Sequence, residues 1–183
     1  PAEPFLKIIV EEVNRLNEVV TQFLNYAKPF QGKPEWADLR EVARSVAERF
    51  SERFKQSGVR LLLQLPDSPG ISRLQVKCQP ALLGLVVTNL LENSLRAFAN
   101  SDAARKGQKI PTVSLRLANT IQEGNVEISL SVEDNGPGMT PEVMDKIFIP
   151  FFTQSPQGTG LGLSICQKIA EAHGGRMEAS SVP

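Results

Sequence analysis

Three glycines at alternate positions lie near the end of the chain, in the stretch GTGLGLS at residues 158–164. The apolar run that follows predicts a helix, so Gly158, Gly160 and Gly162 lie where unpaired helical N–H groups begin. Such amides carry partial positive charge and can bind phosphate. The stretch lacks the lysine of a P-loop, and Ile165 stands where a dinucleotide fingerprint has a further glycine. A tight turn against another backbone segment is the alternative explanation.

A second glycine motif, DNGPGM, begins at Asp134, where an alternating strand pattern ends. Its carboxylate is followed by two glycines around a proline, so an acceptor side chain points into the space that the turn opens. Such an acceptor could bind an exocyclic amine. An Asx-turn that begins an ordinary loop accounts for the same residues without a ligand.

Two amides, Asn89 and Asn93, lie four residues apart in the stretch NLLEN of a predicted helix, and therefore on one face. An amide oxygen is a hard ligand that suits Mg²⁺, which typically arrives with a phosphate chain. Arg96 lies one turn further along and could neutralise the same phosphates. Buried amides satisfied by backbone groups are the alternative.

Interleaved helices and strands separate these motifs. Apolar periodicity predicts helices over 38–56, 80–98 and 141–148 and after GTGLGLS, and strands over 59–65, over 74–77 and near Arg176. Two alternating runs, TVSLRLAN and VEISLSVED, predict antiparallel neighbours joined near Glu123 and Gly124. Because consecutive strands pair directly, we expect an α+β fold, a two-layer α/β sandwich with a mixed, mostly antiparallel sheet covered on one face by helices.

The first 28 residues predict a long helix with a coiled-coil-like stripe. The apolar positions of the stripe are Leu6, Ile9, Val13, Leu16, Val20, Phe23 and Ala27. Pro29, Gly32 and Pro34 then end the helix, which predicts a linker over 29–35. We expect the stripe to pack on another helix, while an amphipathic helix lying on its own domain is the alternative.

Composition limits the classes of partner. The chain has 20 Lys and Arg against 20 Asp and Glu, a formal net charge of zero, so nothing in the overall charge indicates nucleic acid or an anionic membrane. Cys78 and Cys166 lack metal-ligand spacing and the density of a secreted disulfide scaffold, which favours a cytoplasmic location. The first residue is not Met, so we expect a piece of a longer protein, attached to a membrane only through segments outside this chain.

The order of NLLENSLRAF, DNGPGM, IFIPFF and GTGLGLS resembles the N, G1, F and G2 boxes of the ATP-binding domain of sensor histidine kinases. That family is part of the GHKL superfamily of gyrase, Hsp90, histidine kinases and MutL. The resemblance implies a Bergerat ATP-binding fold over 36–183, here without its C-terminal strand. It also implies that residues 1–28 form the second helix of a dimerisation and histidine phosphotransfer hairpin, and that the cofactors are ATP and Mg²⁺.

The resemblance also implies individual roles. Asn93 corresponds to the Mg²⁺ ligand, and Asn89 occupies the position of a water-activating glutamate in ATPase relatives, which suits phosphoryl transfer over hydrolysis. Arg96 stands where a basic residue meets the phosphates, so Asn89 and Arg96 are the implied catalytic residues. Asp134 corresponds to the acceptor for the adenine amino group. The implied nucleotide-binding residues are Asn89, Asn93, Arg96, Ala97, Asp134, Gly136, Gly138, Met139, Phe152, Gly158, Thr159, Gly160, Leu161, Gly162 and Leu163.

The phenylalanines of IFIPFF, namely Phe148, Phe151 and Phe152, correspond to the hinge of a short ATP lid over 153–157. The only histidine, His173, does not match the phosphoacceptor box, and we expect a structural role for it at a helix end.

The implied reaction moves the γ-phosphoryl group of Mg·ATP to a histidine on a helix absent from this chain, and then to an aspartate of a response-regulator receiver domain. The full-length protein is expected to form a homodimer through the hairpin, and this chain alone is not expected to autophosphorylate. Two alternatives stay open: a GHKL protein-serine kinase and a non-catalytic nucleotide-sensing dimerisation module.

Overall fold

The computed structural model describes residues 32–66, 74–99, 110–122, 125–155 and 158–182, together with separate positions between 5 and 24. The elements follow in the order β1 (Glu35–Asp38), α1 (Leu39–Ser57), β2 (Arg60–Gln64), β3 (Gln75–Cys78), α2 (Pro80–Ala99), β4 (Thr112–Gln122), β5 (Asn125–Asp134), α3 (Pro141–Met144) and α4 (Gly162–Ala172).

The described strands form two sheets. β1 pairs antiparallel with β3, and the second sheet has the order β2-β4-β5. β2 runs parallel to β4, with Leu63 opposite Leu115, and β4 runs antiparallel to β5, with Leu117 opposite Leu130. Two of the three pairings are therefore antiparallel, which confirms the predicted mixed, mostly antiparallel sheet. The predicted turn at residues 123 and 124 lies outside the described residues.

The core lies between one face of the sheet and the helices. Val113, Leu115 and Leu117 of β4 are buried while Arg116 between them is exposed, the period of two expected for a strand with one covered face. Val113 and Leu115 pack in one cluster with buried side chains of α1 and α2. The predicted cover of helices on one face of the sheet is thereby confirmed.

Helix α1 begins and ends with strong sequence signals. Asp38 is its N-cap, because the carboxylate accepts from the backbone N–H of Arg40 at 2.8 Å, and Gly58 ends it in the left-handed conformation at a φ of 69°. The Asp38 carboxylate also pairs with the Arg40 guanidinium, with Nε–Oδ1 at 3.0 Å. The hydrogen bond from the Arg40 side chain is the largest cause that holds the pKa of Asp38 below its ordinary value.

The depressed pKa makes the contribution of Asp38 to stability depend on pH. A carboxyl with a lowered folded-state pKa stabilises the fold above its unfolded pKa, and this stabilisation is lost as the pH falls through the folded pKa. We expect Asp38→Asn to lower the free energy of unfolding by about 1 kcal/mol near neutral pH, because the charge-assisted hydrogen bond with Arg40 is lost, and we expect the difference to shrink as the pH falls and the carboxyl becomes protonated. Urea unfolding from pH 7 to pH 2 measures it. Glu48→Gln, at an exposed carboxylate of the same helix, is the control, and a gap between wild type and Asp38→Asn that is constant with pH would contradict this assignment.

Three elements differ from the sequence predictions. α3 ends at Met144 and not at 148, because the chain tightens into turns with Lys146 N–H to Val143 O at 2.9 Å. The strand predicted near Arg176 is wrong, since residues 175–182 have no regular secondary structure. β1 was not predicted, and it begins at Glu35, inside the predicted linker 29–35, of which residues 29–31 lie outside the described part.

Side chains of the segment after α4 contact two other parts of the domain. The Arg176 guanidinium donates to Glu127 of β5 at 2.6 Å, and the N–H of Met139 donates to the Ser181 hydroxyl at 2.8 Å. These contacts connect the segment to β5 and to the DNGPGM turn, although residues 175–182 do not join a strand ladder.

The described positions between 5 and 24 are all helical and exposed. Their apolar side chains are 44% to 69% exposed, from Leu24 to Phe5. Residues 23 and 27 of the predicted stripe lie outside the described residues, and what the stripe packs on stays a prediction. No described helix combines the length and the hydropathy that a membrane span requires.

Candidate functional site

The sequence-predicted residues meet at an open cleft. The cleft is large: its walls include α2, β3, β5 with the DNGPGM turn, the phenylalanine segment, the GTGLGLS stretch that leads into α4, and residues 173–182. All of the predicted nucleotide-binding residues line this cleft except Leu161. The Leu161 side chain is fully buried and packs with Ile165 and Ile169 of α4 against α2. The apolar side chain of Leu161 therefore belongs to the core, and only its backbone could contact a nucleotide.

Asp134 is held by two donors from different elements. Its Oδ2 accepts from the Ser94 hydroxyl at 2.9 Å, and its Oδ1 accepts from the backbone N–H of Gly136 at 3.0 Å. A carboxylate has about four lone-pair positions, so both oxygens can accept further hydrogen bonds. Asp134 itself is exposed. The arrangement presents a fixed acceptor at the surface of the cleft.

The neighbouring Asn135 anchors the turn to the sheet. Its side-chain oxygen accepts from the N–H of Thr112 at 2.7 Å, and its side-chain nitrogen donates to Ile110 O at 3.0 Å. The Asx-turn proposed as an alternative for this motif is thus present at Asp134 and Gly136, while Asn135 ties the same turn to the start of β4. Sequence reasoning assigned no role to Asn135.

The glycines of DNGPGM have steric reasons within the chain. A Cβ on Gly136 would lie 2.7 Å from Oδ1 of Asp134 and 3.8 Å from the Cβ of Ala97. Gly138 has a φ of 71°, which an L side chain rarely adopts. The space at Gly136 is therefore filled by the carboxylate of Asp134, so any room for a base lies beyond that carboxylate.

The two amides of NLLEN differ in their contacts. Asn89 donates to Leu85 O at 3.0 Å, so the alternative of a backbone-satisfied amide applies to its nitrogen. Its Oδ1 would lie 2.9 Å from a Cβ on Gly162, which places Asn89 against the first residue of α4. The half-buried Asn93 makes no side-chain hydrogen bond to another described residue. Asn93 is thus the amide whose oxygen is available to a ligand.

Arg96 is paired within the protein. Its guanidinium donates to Glu92 at 3.2 Å, and the other oxygen of Glu92 accepts from Arg53 of α1 at 2.6 Å. The Arg53 guanidinium also lies 5.1 Å from the centre of the Phe50 ring. Because Arg53 can keep Glu92 paired, Arg96, whose side chain is 42% exposed, can turn toward an anion in the cleft.

Each glycine of GTGLGLS makes room for another part of the chain. A Cβ on Gly158 would overlap the hydroxyl of Thr153, and one on Gly162 would crowd Asn89. Gly160 has a φ of 69°, and a Cβ there would lie 2.7 Å from the Cα of Phe151. The close-approach explanation therefore holds for all three glycines, and it concerns only the missing side chains, so the backbone N–H groups of this stretch stay available for phosphate binding.

The start of α4 offers such amides. Ile165 N–H donates to Leu161 O at 2.9 Å, and the N–H groups of Gly162 and Leu163 precede this bond and find no acceptor among the described residues. Unpaired donors at a helix N-terminus suit the oxygens of a phosphate. The donor chemistry of the cleft therefore fits a phosphorylated ligand.

The phenylalanine segment is fastened to the glycine stretch. Phe151 N–H donates to Gly160 O at 2.9 Å, and Phe151 has a φ of 68°, which is unusual for a residue with a side chain. Phe151 is 58% exposed, whereas Phe152 is half-buried and lines the cleft. Residues 156 and 157 of the predicted lid lie outside the described residues.

His173 has the structural role expected from the sequence. Its Nε2 accepts from the N–H of Gln79 at 3.0 Å, and its Nδ1 lies 2.7 Å from Ile169 O. Both contacts fit a neutral ring with its proton on Nδ1, which joins the end of α4 to the start of α2.

Metal and thiol chemistry are limited within the described part of the chain. No group of three or more His, Cys, Asp or Glu side chains there is arranged to hold a metal ion. Burial raises the pKa of Cys166 to about 12, which keeps it a thiol. A Mg²⁺ ion in this cleft would therefore depend on phosphate oxygens together with the oxygen of Asn93.

Comparison with known proteins gives one family. Residues 78–183 match the family described as histidine kinase-, DNA gyrase B- and HSP90-like ATPase. The sensor histidine kinase ZraS of Klebsiella oxytoca is 33% identical over 96% of this chain and 35% of its own length. The chain spans about one third of the length of the curated relatives it matches.

Two solved structures have the same arrangement of elements. The catalytic domain of histidine kinase ThkA is 27% identical with a TM-score of 0.61, over 78% of this chain and 82% of that one. ThkA in complex with the response regulator TrrA is 26% identical with a TM-score of 0.67, over 93% of this chain and 44% of that one.

Proposed function

Because the chain belongs to the histidine kinase-, DNA gyrase B- and HSP90-like ATPase family, we propose that it is the ATP-binding catalytic part of a sensor histidine kinase. The observation that carries the proposal is the convergence of three separate stretches on one cleft. Asp134 brings a fixed acceptor, Asn93 an amide without a partner among the described residues, and Gly162 the unpaired amides of a helix N-terminus.

Each group has a role that its chemistry supports. Asp134 would accept from the amino group of adenine, and the N–H groups of Gly162 and Leu163 would bind phosphate oxygens. Mg²⁺, when bound, neutralises phosphate charge, and Asn93 would supply the protein ligand to it. Arg96 would add a second positive charge if its guanidinium moved from Glu92 to the phosphates. With few groups able to do covalent chemistry, the protein would act by positioning and charge neutralisation.

The amide at position 89 supports transfer of the phosphoryl group to a protein side chain over hydrolysis by water. Asn89 is an amide engaged with Leu85 O and packed against Gly162, so it has no basic group with which to activate water. We therefore propose transfer to a protein side chain, a histidine on a helix outside this chain. His173 does not suit the role, since both of its ring nitrogens are engaged in the fold.

Partners and location follow from the same proposal. The relative ThkA has been solved with a response regulator, and we propose a receiver domain as the partner that takes the phosphoryl group here. The exposed apolar side chains between Phe5 and Leu24 support a homodimer formed by helix packing in the whole protein. Dependence on ATP and on a receiver domain implies a cytoplasmic location.

A phosphotransfer assay tests the proposal. The chain is mixed with γ-³²P-labelled ATP, Mg²⁺ and a separately made histidine-bearing hairpin of a sensor histidine kinase relative. We expect labelled hairpin whose phosphate is lost in acid and kept in base, the behaviour of phosphohistidine. Acid-stable label would favour the protein-serine kinase alternative. Binding of ATP without any label would favour the non-catalytic sensor module.

A further inference from the structure

Ser94 is one of two buried polar side chains in the described part of the chain, and sequence reasoning gave it no role. It lies on α2 directly after Asn93 and is 4% exposed, as is Ser164 on α4. A buried hydroxyl needs a hydrogen-bonding partner, because leaving it unpaired costs free energy. The choice of partner distinguishes the two serines.

Ser164 uses the partner that a helix offers locally. Its hydroxyl donates to Leu161 O, three residues earlier, at 2.9 Å. Ser94 could use a carbonyl of the preceding turn in the same way. Its hydroxyl instead donates to Oδ2 of Asp134, forty residues away in sequence, at 2.9 Å. The bond therefore connects α2 to the end of β5 at the cleft.

The bond from Ser94 completes the fixation of the Asp134 carboxylate. The Gly136 N–H holds Oδ1 at 3.0 Å, and one such bond alone leaves rotation about the terminal side-chain torsion, which is broad for Asp. A second donor on Oδ2 from another element sets the plane of the carboxylate. Ser94 is 4% exposed while Asp134 is exposed, so the Asp134 carboxylate presents most of the polar surface that this pair offers to a ligand.

We propose that Ser94 is a positioning residue that orients the Asp134 carboxylate and thereby sets the selectivity of the cleft for a base bearing an exocyclic amino group. The proposal rests on the proposed function, since it concerns the base of the same nucleotide. In this role Ser94 acts through Asp134, to which its hydroxyl donates. The selectivity depends on the direction in which a lone pair of the Asp134 carboxylate points. Loss of the bond from Ser94 would change this direction without changing the carboxylate itself.

The test compares two nucleotides that differ only in the amino group. Calorimetry measures Kd for ATP and for purine riboside triphosphate, which has hydrogen in place of the 6-amino group, both with Mg²⁺. In Ser94→Ala we expect the affinity for ATP to fall about three- to ten-fold, the range of one hydrogen bond, while the affinity for the purine analogue changes less than about two-fold. Ser164→Ala, the matched loss of an equally buried hydroxyl, should change both affinities by the same factor.

A second variant separates positioning from a structural effect. In an Asp134→Asn background, Ser94→Ala should leave the ratio of the two affinities unchanged, because the acceptor that it orients is absent. Thermal unfolding checks that each variant is folded.

Equal losses for both nucleotides in Ser94→Ala, or no loss for either, would overturn the positioning role. Failure of the unsubstituted chain to bind ATP would instead overturn the proposed function, so the two failures are distinguishable.

Discussion

Replacing Asp134 with asparagine is expected to weaken Mg·ATP binding about 10- to 100-fold and to remove most of the preference for ATP over GTP. The carboxylate presents only acceptors, whereas an asparagine amide presents one acceptor and one donor. The Gly136 N–H requires the remaining oxygen, so the new NH₂ group takes the position of Oδ2. Guanine carries a carbonyl where adenine carries its amine, and the amide can donate to that carbonyl. Discrimination between the two bases should therefore decrease.

The measurement is a pair of calorimetric titrations, with ATP and with GTP, for each protein. Asp145→Asn is the matched control, since it makes the same chemical change at an exposed carboxylate that does not line the cleft. We expect the control to bind both nucleotides as the unsubstituted chain does. Equal affinity of the unsubstituted chain for ATP and GTP would contradict the role assigned to Asp134.

Replacing Gly160 with alanine is expected to cost about 3 kcal/mol or more in the free energy of unfolding and to weaken nucleotide binding at least about ten-fold. Two effects combine at this position. The φ of 69° is unfavourable for alanine, and the new Cβ would lie 2.7 Å from both Cα and O of Phe151. Phe151 is a poor candidate for relaxation, because its N–H is bonded to Gly160 O and it already has a φ of 68°. The path from the glycine stretch into α4 must therefore distort.

A second glycine separates these two effects. Gly58 also has a φ of 69°, but a Cβ there would meet nothing within 4 Å. Gly58→Ala should therefore cost only the conformational penalty, about 1 kcal/mol, and leave nucleotide binding unchanged. Urea unfolding and ATP titration of both variants give the comparison. Equal destabilisation by the two substitutions would show that the contact with Phe151 contributes nothing.

The predictable parts of the fold are those determined by local signals. Helix α1 follows from the Asp38 cap, the apolar face that includes Val46 and Phe54, and Gly58 at its end, all of which depend on residues within a few positions. The antiparallel pair β4 and β5 follows from two alternating runs with a short connection. In both cases the information lies within one or two adjacent segments.

The remaining features depend on tertiary contacts that spacing does not encode. GTGLGLS predicted bare amides, but which atoms approach Gly158, Gly160 and Gly162 is decided by Thr153, Phe151 and Asn89. A serine on the buried face of a helix was the only available signal for the bond from Ser94 to Asp134. Alternation near Arg176 indicated a strand, yet the contacts there are made by side chains.

The site shows the same division. The motifs identified the stretches that line the cleft because glycines, amides and a carboxylate are unusual in otherwise apolar patterns. Two side-chain contacts at the site were not predicted, because their partners lie in other elements. Leu161 is drawn into the core by α2, and Arg96 is paired through Glu92 with Arg53 of α1. Both depend on packing between helices, which the motif alone does not determine.

Titration of ¹⁵N-labelled chain with Mg·ATP, followed by amide chemical shifts, tests most directly whether these stretches form one nucleotide site. We expect saturable shifts that share one Kd at Gly136, Gly138, Gly162, Leu163 and the side-chain amide of Asn93, with little change on strand β2, which does not line the cleft. Absence of shifts at saturating nucleotide, or shifts that cluster on β2 and leave the cleft unchanged, would contradict it.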